Sequence, residues 1–165
     1  MGKVKARVAE MRLKDLDRVL EIEKLCYPTP WSKQSFLTEL VQNEYAHYIV
    51  CQVEGKLVGY AGMWVILDEA HVTNVAVHPD YRGKGLGRLL MNELIERAKS
   101  RGARKMTLEV RKSNTVAQGL YSSLGFEARG IRKGYYSDTH EDAIIMWKDD
   151  LGPVDQRRVD EIRWA

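Results

Sequence analysis

A short glycine-rich segment carries the clearest chemical pattern in this sequence. It lies between a strand pattern and an amphipathic helix pattern and reads Arg82-Gly83-Lys84-Gly85-Leu86-Gly87-Arg88. A helix N-terminus offers main-chain N–H groups and a partial positive charge, and glycines let that backbone come close to a phosphate. Its spacing matches neither the dinucleotide nor the nucleoside-triphosphatase loop. The segment predicts a pyrophosphate site, with a glycine-rich turn that only begins a helix as the alternative.

Two side chains further along are candidates for proton transfer. In the strand pattern 105–110, alternation places Glu109 on the face opposite the apolar residues. A carboxylate there, with its pKa raised by burial, could accept a proton. A surface ion pair with Arg111 or Lys112 is the alternative for this glutamate. Tyr121 lies in the next helix pattern, where its phenol could donate a proton or pack in the core.

His71 is a third candidate for proton transfer. It lies on the same face of its predicted strand as Thr73 and Val75. A lone histidine on a strand is more often a hydrogen-bonded structural residue than a catalytic one. Its part in the chemistry therefore stays open.

Composition argues against several other classes of function. Cys26 and Cys51 have no C-x-x-C spacing, and the 4 histidines have no metal-ligand spacing. The net charge of +3 is spread along the chain, without the basic stripe of a nucleic-acid binder. The longest apolar run, 58–67, is about half of what a membrane helix needs. We expect a cytoplasmic protein with no metal and with neither a nucleic-acid nor a membrane partner.

The scaffold that must position these residues alternates strands and helices. Apolar periodicity predicts two helices that follow Asp15 and Ser32, and two more at 86–100 and 114–124. Strand patterns, with an irregular loop before the last of them, occupy 4–11, 48–53, 57–65, 70–77, 105–110 and 143–147. The order predicts an α/β (α+β) fold with a mixed sheet of about seven strands flanked by helices. We expect one domain at 1–150 and a polar tail of no assigned role at 151–165.

Two segments of the sequence resemble the GNAT N-acetyltransferases. Arg82-x-x-Gly85-x-Gly87 is similar to their Gln/Arg-x-x-Gly-x-Gly/Ala signature. The second segment looks like that of the RimI-like branch, the N-terminal protein acetyltransferases that include a ribosomal-protein alanine acetyltransferase. This segment contains Leu108-Glu109-Val110-Arg111, Ser113-Asn114, Leu120-Tyr121 and Leu124-Gly125-Phe126. The resemblance extends from about residue 4 to residue 150.

The resemblance implies a fold and a co-substrate. The GNAT fold has a central mixed, mostly antiparallel sheet in which a splayed parallel strand pair binds acetyl-CoA. Acetyl-CoA is then the co-substrate, and no metal takes part. One N–H of the strand before the glycine segment would polarise the thioester carbonyl. The implied cofactor-binding residues are Val75, Ala76, Val77, Arg82, Gly83, Lys84, Gly85, Leu86, Gly87, Arg88, Asn114 and Tyr121.

The resemblance also assigns the catalytic pair. It implies that Glu109 is the base and that Tyr121 is the acid that protonates the departing thiolate. A protein α-amine has a reference pKa of about 7.7–8.0, against about 10.4 for lysine, so a modest base suffices for an N-terminal substrate. Asn114 would contact the cofactor, cap its helix, or do both.

Two aromatic segments are predicted to bind the substrate. Tyr27, Pro28 and Trp31 join the first two helices, while Tyr135 and Tyr136 lie in the segment that joins the last strands. Such residues can form a rigid peptide slot, or they can simply close the end of the sheet. The resemblance implies that the substrate is a protein N-terminus, foremost the alanine of a small-subunit ribosomal protein. The alternatives are a lysine side chain or small amine, and a non-catalytic acyl-CoA-binding module.

Overall fold

The computed structural model describes residues 5–155. The strands are β1 (Ala6–Glu10), β2 (Ala46–Val53), β3 (Lys56–Ile66), β4 (Glu69–Val77), β5 (Lys105–Arg111), β6 (Glu127–Tyr136) and β7 (Glu141–Lys148). The α-helices are α1 (Leu16–Cys26), α2 (Lys33–Leu37), α3 (Leu86–Ser100) and α4 (Thr115–Ser123). Shorter helical turns occupy Leu13–Asp15, Thr38–Gln42 and Pro79–Tyr81. Val4, where the first strand was predicted to begin, lies outside the described residues.

The seven strands form one mixed sheet, which confirms the predicted fold class. Their order is β1-β2-β3-β4-β5-β7-β6. The pairs β1–β2, β2–β3, β5–β7 and β6–β7 are antiparallel. Strands β4 and β5 are parallel, and their ladder runs from Glu69↔Lys105 to His71↔Thr107. Because β4 continues to Val77, the ladder covers only the first part of this strand, as expected of the parallel pair in the GNAT fold.

The chain forms two compact units, and the first contains Met1–Trp64, described from residue 5, and Thr73–Leu94. Its core is built from apolar residues that recur along α1 and pack with Phe36 of α2. The Phe36 ring lies 5.9 Å from the Tyr60 ring and 6.3 Å from the Tyr48 ring, in edge-to-face geometry. Helix α2 begins after Ser32, as predicted, because the Ser32 Oγ accepts a hydrogen bond from the Ser35 N–H at 3.1 Å.

The second unit contains Val65–Val72 and Ile95–Ala165, described here to residue 155. Along β5, Met106, Leu108 and Val110 are buried while the residues between them are half-buried, which confirms the predicted alternation. The β5–β7 register pairs Glu109 with Ile145. Glu109 therefore lies on a strand that is paired with β7 from Met106 to Arg111.

The prediction of an irregular loop before the last strand was wrong. Residues Glu127–Tyr136 form β6, a 10-residue strand at the end of the sheet order. Its side chains are mostly exposed and polar, so no apolar alternation in the sequence indicates the strand. As a consequence, Tyr135 and Tyr136 lie at the end of a strand and not in a loop.

The expected boundary between a domain and a polar tail at residue 150 stays a prediction. The first residue of that tail, Leu151, is 5% exposed. Its N–H donates to the carbonyl oxygen of Arg104 at 3.0 Å. Leu151 is thus packed within the second unit, and the tail from residue 156 lies outside the described residues.

Candidate active site

The predicted pyrophosphate segment lies in the first unit, directly before α3. Gly83 and Gly85 have φ of +77° and +82°, a left-handed conformation that glycine adopts without strain. A Cβ placed on either glycine would meet no atom within 4 Å, so the backbone there is open to an approaching group. Leu86, Gly87 and Arg88 then form the first turn of the 15-residue helix. An open glycine backbone at the positive end of a long helix fits a pyrophosphate.

The Arg82 side chain makes contacts at the end of β4. Its Nε donates to the carbonyl oxygen of Val77 at 3.1 Å, and its terminal nitrogen contacts the Cys26 Sγ at 3.3 Å. The Cys26 thiol in turn donates to the same carbonyl at 3.4 Å. Arg82 therefore joins the start of the glycine segment to β4 and to the end of α1.

Tyr27 lies against β4, which was the predicted cofactor strand. Its hydroxyl donates to the carbonyl oxygen of Val75 at 2.6 Å. Ala76, between the two valines, is buried in the core of the unit. The carbonyl groups of Val75 and Val77 thus accept hydrogen bonds from side chains at the end of α1. Tyr27 was predicted to line the substrate slot, and the structure brings it to residues predicted to bind the cofactor.

Glu23 is a buried carboxylate next to the predicted substrate segment, and the sequence analysis did not identify it. It is 1% exposed, and its carboxylate accepts hydrogen bonds from the Trp31 N–H at 2.8 Å and from the Tyr60 hydroxyl. Burial raises the pKa of Glu23, although both hydrogen bonds oppose that shift. A glutamate beside Ile22, within the apolar stripe of α1, is the signal that could have identified it.

The hydrogen bond from the Trp31 N–H to Glu23 fixes the position of Trp31 in the segment between α1 and α2. The Trp31 ring packs 5.2 Å from the Phe36 ring, so it is anchored in the core of the first unit. Pro28 is exposed. Trp31 therefore fixes one end of the segment, and Pro28 lies where a ligand could contact it.

Glu109 forms the centre of a charged cluster in the second unit. Its Oε2 lies 2.6 Å from the His71 Nε2, and its Oε1 lies 3.7 Å from an Arg132 guanidinium nitrogen. Burial acts to raise the pKa of Glu109, but the hydrogen bond and charge of His71 and the charge of Arg132 outweigh it, so the pKa is lowered. The prediction of a raised pKa was therefore wrong. The expected alternative partner, Arg111, pairs with Asp138 at 2.7 Å.

Tyr121 is buried on α4 in the same unit. Burial raises the pKa of its phenol to about 12, so the group stays protonated at neutral pH. Its ring lies 6.0 Å from that of Phe126. The Asn114 side chain caps this helix by accepting a hydrogen bond from the Ala117 N–H at 3.1 Å, which confirms the predicted cap.

Tyr135 and Tyr136 form a ring pair at the end of β6, with centroids 5.0 Å apart. The Arg111 guanidinium lies 4.0 Å above the Tyr136 ring. Burial raises the pKa of Tyr136 to about 12, although the Arg111 charge opposes that shift. The second unit contains both predicted catalytic side chains and both predicted substrate tyrosines. Arg132 links the two sets, because it lies 3.7 Å from Glu109 and 5.7 Å from the Tyr135 ring.

Between residues 5 and 155, no group of three or more His, Cys, Asp or Glu side chains is arranged to bind a metal ion. No helix in that range has the length and apolar character needed to cross a bilayer.

Known proteins are similar to this chain in sequence and in fold. The model of the Acetyltransferase (GNAT) family matches residues 16–126. A Bacillus subtilis (strain 168) protein, named provisionally as a ribosomal protein bS18-alanine N-acetyltransferase, is 50% identical over 88% of this chain and 96% of its own length. The ribosomal protein bS18-alanine N-acetyltransferase of Escherichia coli (strain K12) is 41% identical over 84% of this chain and 94% of its length. A crystal structure of the ribosomal-protein-S18-alanine N-acetyltransferase from Escherichia coli superposes with a TM-score of 0.82 and 37% identity, covering 92% of this chain and 97% of that one.

Proposed function

The chain belongs to the GNAT family of acetyltransferases, and we propose that it acetylates the N-terminal α-amine of a protein. The proposed substrate is the N-terminal alanine of ribosomal protein bS18, the activity in the names of relatives at 50% and 41% identity. The observation in the molecule that carries this proposal is the position of Arg132, which lies 3.7 Å from the Glu109 carboxylate and 5.7 Å from the centre of the Tyr135 ring. The predicted base and the predicted substrate tyrosines are therefore neighbours in the second unit. The proposed compartment is the cytoplasm.

The proposed acetyl donor is acetyl-CoA, which supplies a thioester with an acyl carbon open to attack by an amine. Residues 82–88 are proposed to bind its pyrophosphate, with main-chain groups of Val75–Val77 and the side chain of Asn114 as further contacts. The open glycine backbone before α3 supports this assignment because no side chain blocks the amides. Among the basic side chains of the segment, Arg82 attaches the segment to β4 through its hydrogen bond to the Val77 carbonyl oxygen.

The proposed reaction forms one bond, breaks one bond and moves two protons. The amine nitrogen bonds to the acyl carbon, and the bond between that carbon and sulfur breaks. The amine gives up a proton to the Glu109 carboxylate, directly or through water, and the thiolate takes a proton from the Tyr121 phenol. Tyr121 suits this role because a phenol with a pKa of about 12 is protonated in the resting enzyme.

Tyr135 and Tyr136 are proposed to bind the first peptide units of the substrate. Their hydroxyl groups can donate to main-chain carbonyl groups, while their rings give rigid apolar contact. The position of Tyr136 is defined by the Arg111 guanidinium, which also pairs with Asp138 at 2.7 Å and with Glu141 at 3.6 Å. This network makes the end of β6 a preorganised surface.

A matched set of acceptors tests the proposal. Two peptides share one sequence beginning with alanine and containing an internal lysine, and one of them has a blocked N-terminus; spermidine is the third acceptor. We expect mass spectrometry to find acetylation of the free N-terminus alone. Modification of the blocked peptide or of spermidine at equal or higher kcat/KM would contradict the proposed substrate class.

The variant Glu109→Gln/Tyr121→Phe distinguishes an enzyme from a non-catalytic binder. We expect it still to bind coenzyme A in calorimetry and to lose peptide acetylation. If its acetylation activity equals that of the wild type, the proposed catalytic residues are wrong.

A further inference from the structure

Glu23 accepts main-chain hydrogen bonds from both ends of the substrate segment, residues 27–31, in the first unit. At the near end, the Tyr27 N–H donates to the Glu23 carbonyl oxygen at 3.0 Å. At the far end, the Trp31 N–H donates to the Glu23 Oε2 at 2.8 Å. The other carboxylate oxygen, Oε1, accepts the hydrogen bond from the Tyr60 hydroxyl. One residue of α1 therefore holds both ends of the segment that is proposed to meet the substrate.

The backbone between these two hydrogen bonds is stiff. The segment contains Pro28 and Pro30, and a proline fixes its own φ and restricts the residue before it. Tyr27, which precedes the first proline, has φ −131° and ψ 135°, an extended conformation. The three residues between Tyr27 and Trp31 are exposed, while these two are half-buried. A stiff segment of this kind takes its position from its two ends.

Packing alone does not require a carboxylate at position 23. Glu23 is buried next to Ile22, in the apolar stripe of α1, where an apolar side chain of similar size would pack without losing the hydration of a charge. Burial raises the pKa of Glu23, although the hydrogen bonds from Trp31 and Tyr60 oppose that shift. The carboxylate provides what an apolar side chain lacks, namely one oxygen for the core at Tyr60 and one for the main chain at Trp31.

We propose that Glu23 is a positioning residue for the acceptor substrate, because its carboxylate holds the Trp31 main chain and thereby the exposed residues of the segment where the incoming protein N-terminus meets them. This inference rests on the proposed transfer of acetyl to a protein N-terminus. Since Glu23 is buried, it acts through the segment and not on the reacting atoms. Its loss should weaken peptide binding and leave the chemical step and the binding of acetyl-CoA unchanged.

Steady-state kinetics on the N-terminal alanine peptide test the proposal. Glu23→Ala removes the carboxylate but keeps the main-chain carbonyl, and the Tyr27 hydroxyl still donates to the Val75 carbonyl oxygen at 2.6 Å, so only the far end of the segment is released. We expect the peptide KM to rise by about 5–20-fold, with kcat and the acetyl-CoA KM within about 2-fold of the wild type. Glu23→Gln keeps an oxygen that accepts from the Trp31 N–H, and should restore the peptide KM to within about 3-fold of the wild type.

Tyr60→Phe is the matched control. It removes the other hydrogen bond of the Glu23 carboxylate and destabilises the same core, but it leaves the bond to Trp31 in place. Its peptide KM should stay within about 2-fold of the wild type. The double variant Glu23→Ala/Tyr60→Phe leaves no buried hydroxyl without an acceptor, and should show the peptide KM of Glu23→Ala. The result then does not depend on the stability of the single variant.

Three kinetic results would overturn the proposal. A peptide KM within about 2-fold of the wild type in both variants that lack the carboxylate would mean that the far end is held without it. Equal rises in Glu23→Ala and Tyr60→Phe would mean that Glu23 only stabilises the core. A fall in kcat or a rise in the acetyl-CoA KM as large as the rise in the peptide KM would mean that the whole site is disturbed.

Hydrogen exchange of the Trp31 main-chain amide tests the hydrogen bond without any acetylation assay. In protein labelled with nitrogen-15 tryptophan, this resonance is assigned by its absence in Trp31→Phe. We expect the wild-type amide to exchange at least about 10²-fold more slowly than in an unstructured peptide. Glu23→Ala should remove most of that protection, and Tyr60→Phe should keep it. An unprotected Trp31 amide in the wild type would overturn the proposal, whereas a wild type that acetylates no peptide would contradict the proposed function instead.

Discussion

Replacing Glu23 by alanine removes the acceptor of two hydrogen bonds in the core of the first unit. The donors left behind are the Tyr60 hydroxyl, on a residue that is 0% exposed, and the Trp31 N–H, which is partly buried. An unpartnered buried donor costs about 1–3 kcal/mol. Because water can reach the Trp31 N–H more easily, we take the lower half of the summed range. The expected loss in the free energy of unfolding is about 2–4 kcal/mol.

A double-mutant cycle with Tyr60→Phe isolates the Glu23–Tyr60 hydrogen bond. Tyr60→Phe alone removes a hydrogen bond to a charged group and should cost about 1.5–3 kcal/mol. In Glu23→Ala/Tyr60→Phe the hydroxyl that would be left unpartnered is absent as well. The double variant should therefore be no less stable than Glu23→Ala, and the magnitude of the coupling energy should be at least the cost of Tyr60→Phe.

Urea unfolding followed by far-UV circular dichroism measures these free energies, provided that the m-values of the variants agree. Glu21→Ala is the matched control, because Glu21 lies on the same helix with its side chain 64% exposed and pairs with Arg18 at the surface. It should change stability by less than about 0.5 kcal/mol. A loss below about 1 kcal/mol for Glu23→Ala, or a double variant whose loss equals the sum of the single losses, would refute the reasoning.

Burial raises the pKa of Glu23, so the folded state binds the proton of this carboxyl group more tightly than the unfolded state does. In urea unfolding at a series of pH values, the stability of the wild type relative to Glu23→Gln should therefore fall as pH rises above the ordinary pKa of 4.5. Tyr121→Phe should lower kcat by about 10²–10⁴, and since the Tyr121 pKa is about 12, wild-type kcat should show no falling limb from this group below about pH 10. Gly85→Ala places a methyl group on the open backbone where the pyrophosphate is proposed to bind, and should weaken coenzyme A binding by about 5–30-fold in calorimetry. Gly102→Ala, at φ +95° and equally open, introduces a similar backbone strain away from that segment and should leave the binding unchanged. Arg111→Lys keeps the charge but loses the planar stack 4.0 Å from its tyrosine, and should raise the peptide KM by about 2–5-fold at constant acetyl-CoA KM.

Each of these four expectations has a result that contradicts it. A pH-independent stability difference would mean that Glu23 titrates alike in the folded and unfolded states. Full kcat in Tyr121→Phe would show that another group protonates the thiolate. Equal effects of the two alanine substitutions on coenzyme A binding would mean that backbone strain, and not contact at Gly85, causes the loss. A rise of both KM values in Arg111→Lys would indicate a general loss of structure.

Local features of the sequence predicted much of the scaffold. The helix at 86–100 and the strand face that carries Glu109 follow from hydrophobic periodicity alone, and both are confirmed. The Asn114 and Ser32 caps also follow from short-range chemistry, because a cap bonds to a backbone group three residues away. Strand β6 was missed because an exposed edge strand carries little apolar pattern.

Long-range features of the site could not be predicted in the same way. The direction of the Glu109 pKa shift depends on His71, 38 residues away in the chain, and on the charge of Arg132. Glu23 is recognisable as a buried acceptor only when Tyr60, 37 residues away, is brought to it. Neither partner can be inferred from spacing along the chain.

Residue types and neighbours a few positions away along the chain specify the family, most of the sheet and helix pattern, and the glycine backbone at the start of α3. Contacts between side chains that are remote in the chain arise only on folding, because burial and charge depend on distances in space. The pairing of His71 with Glu109 is therefore a property of the folded sheet.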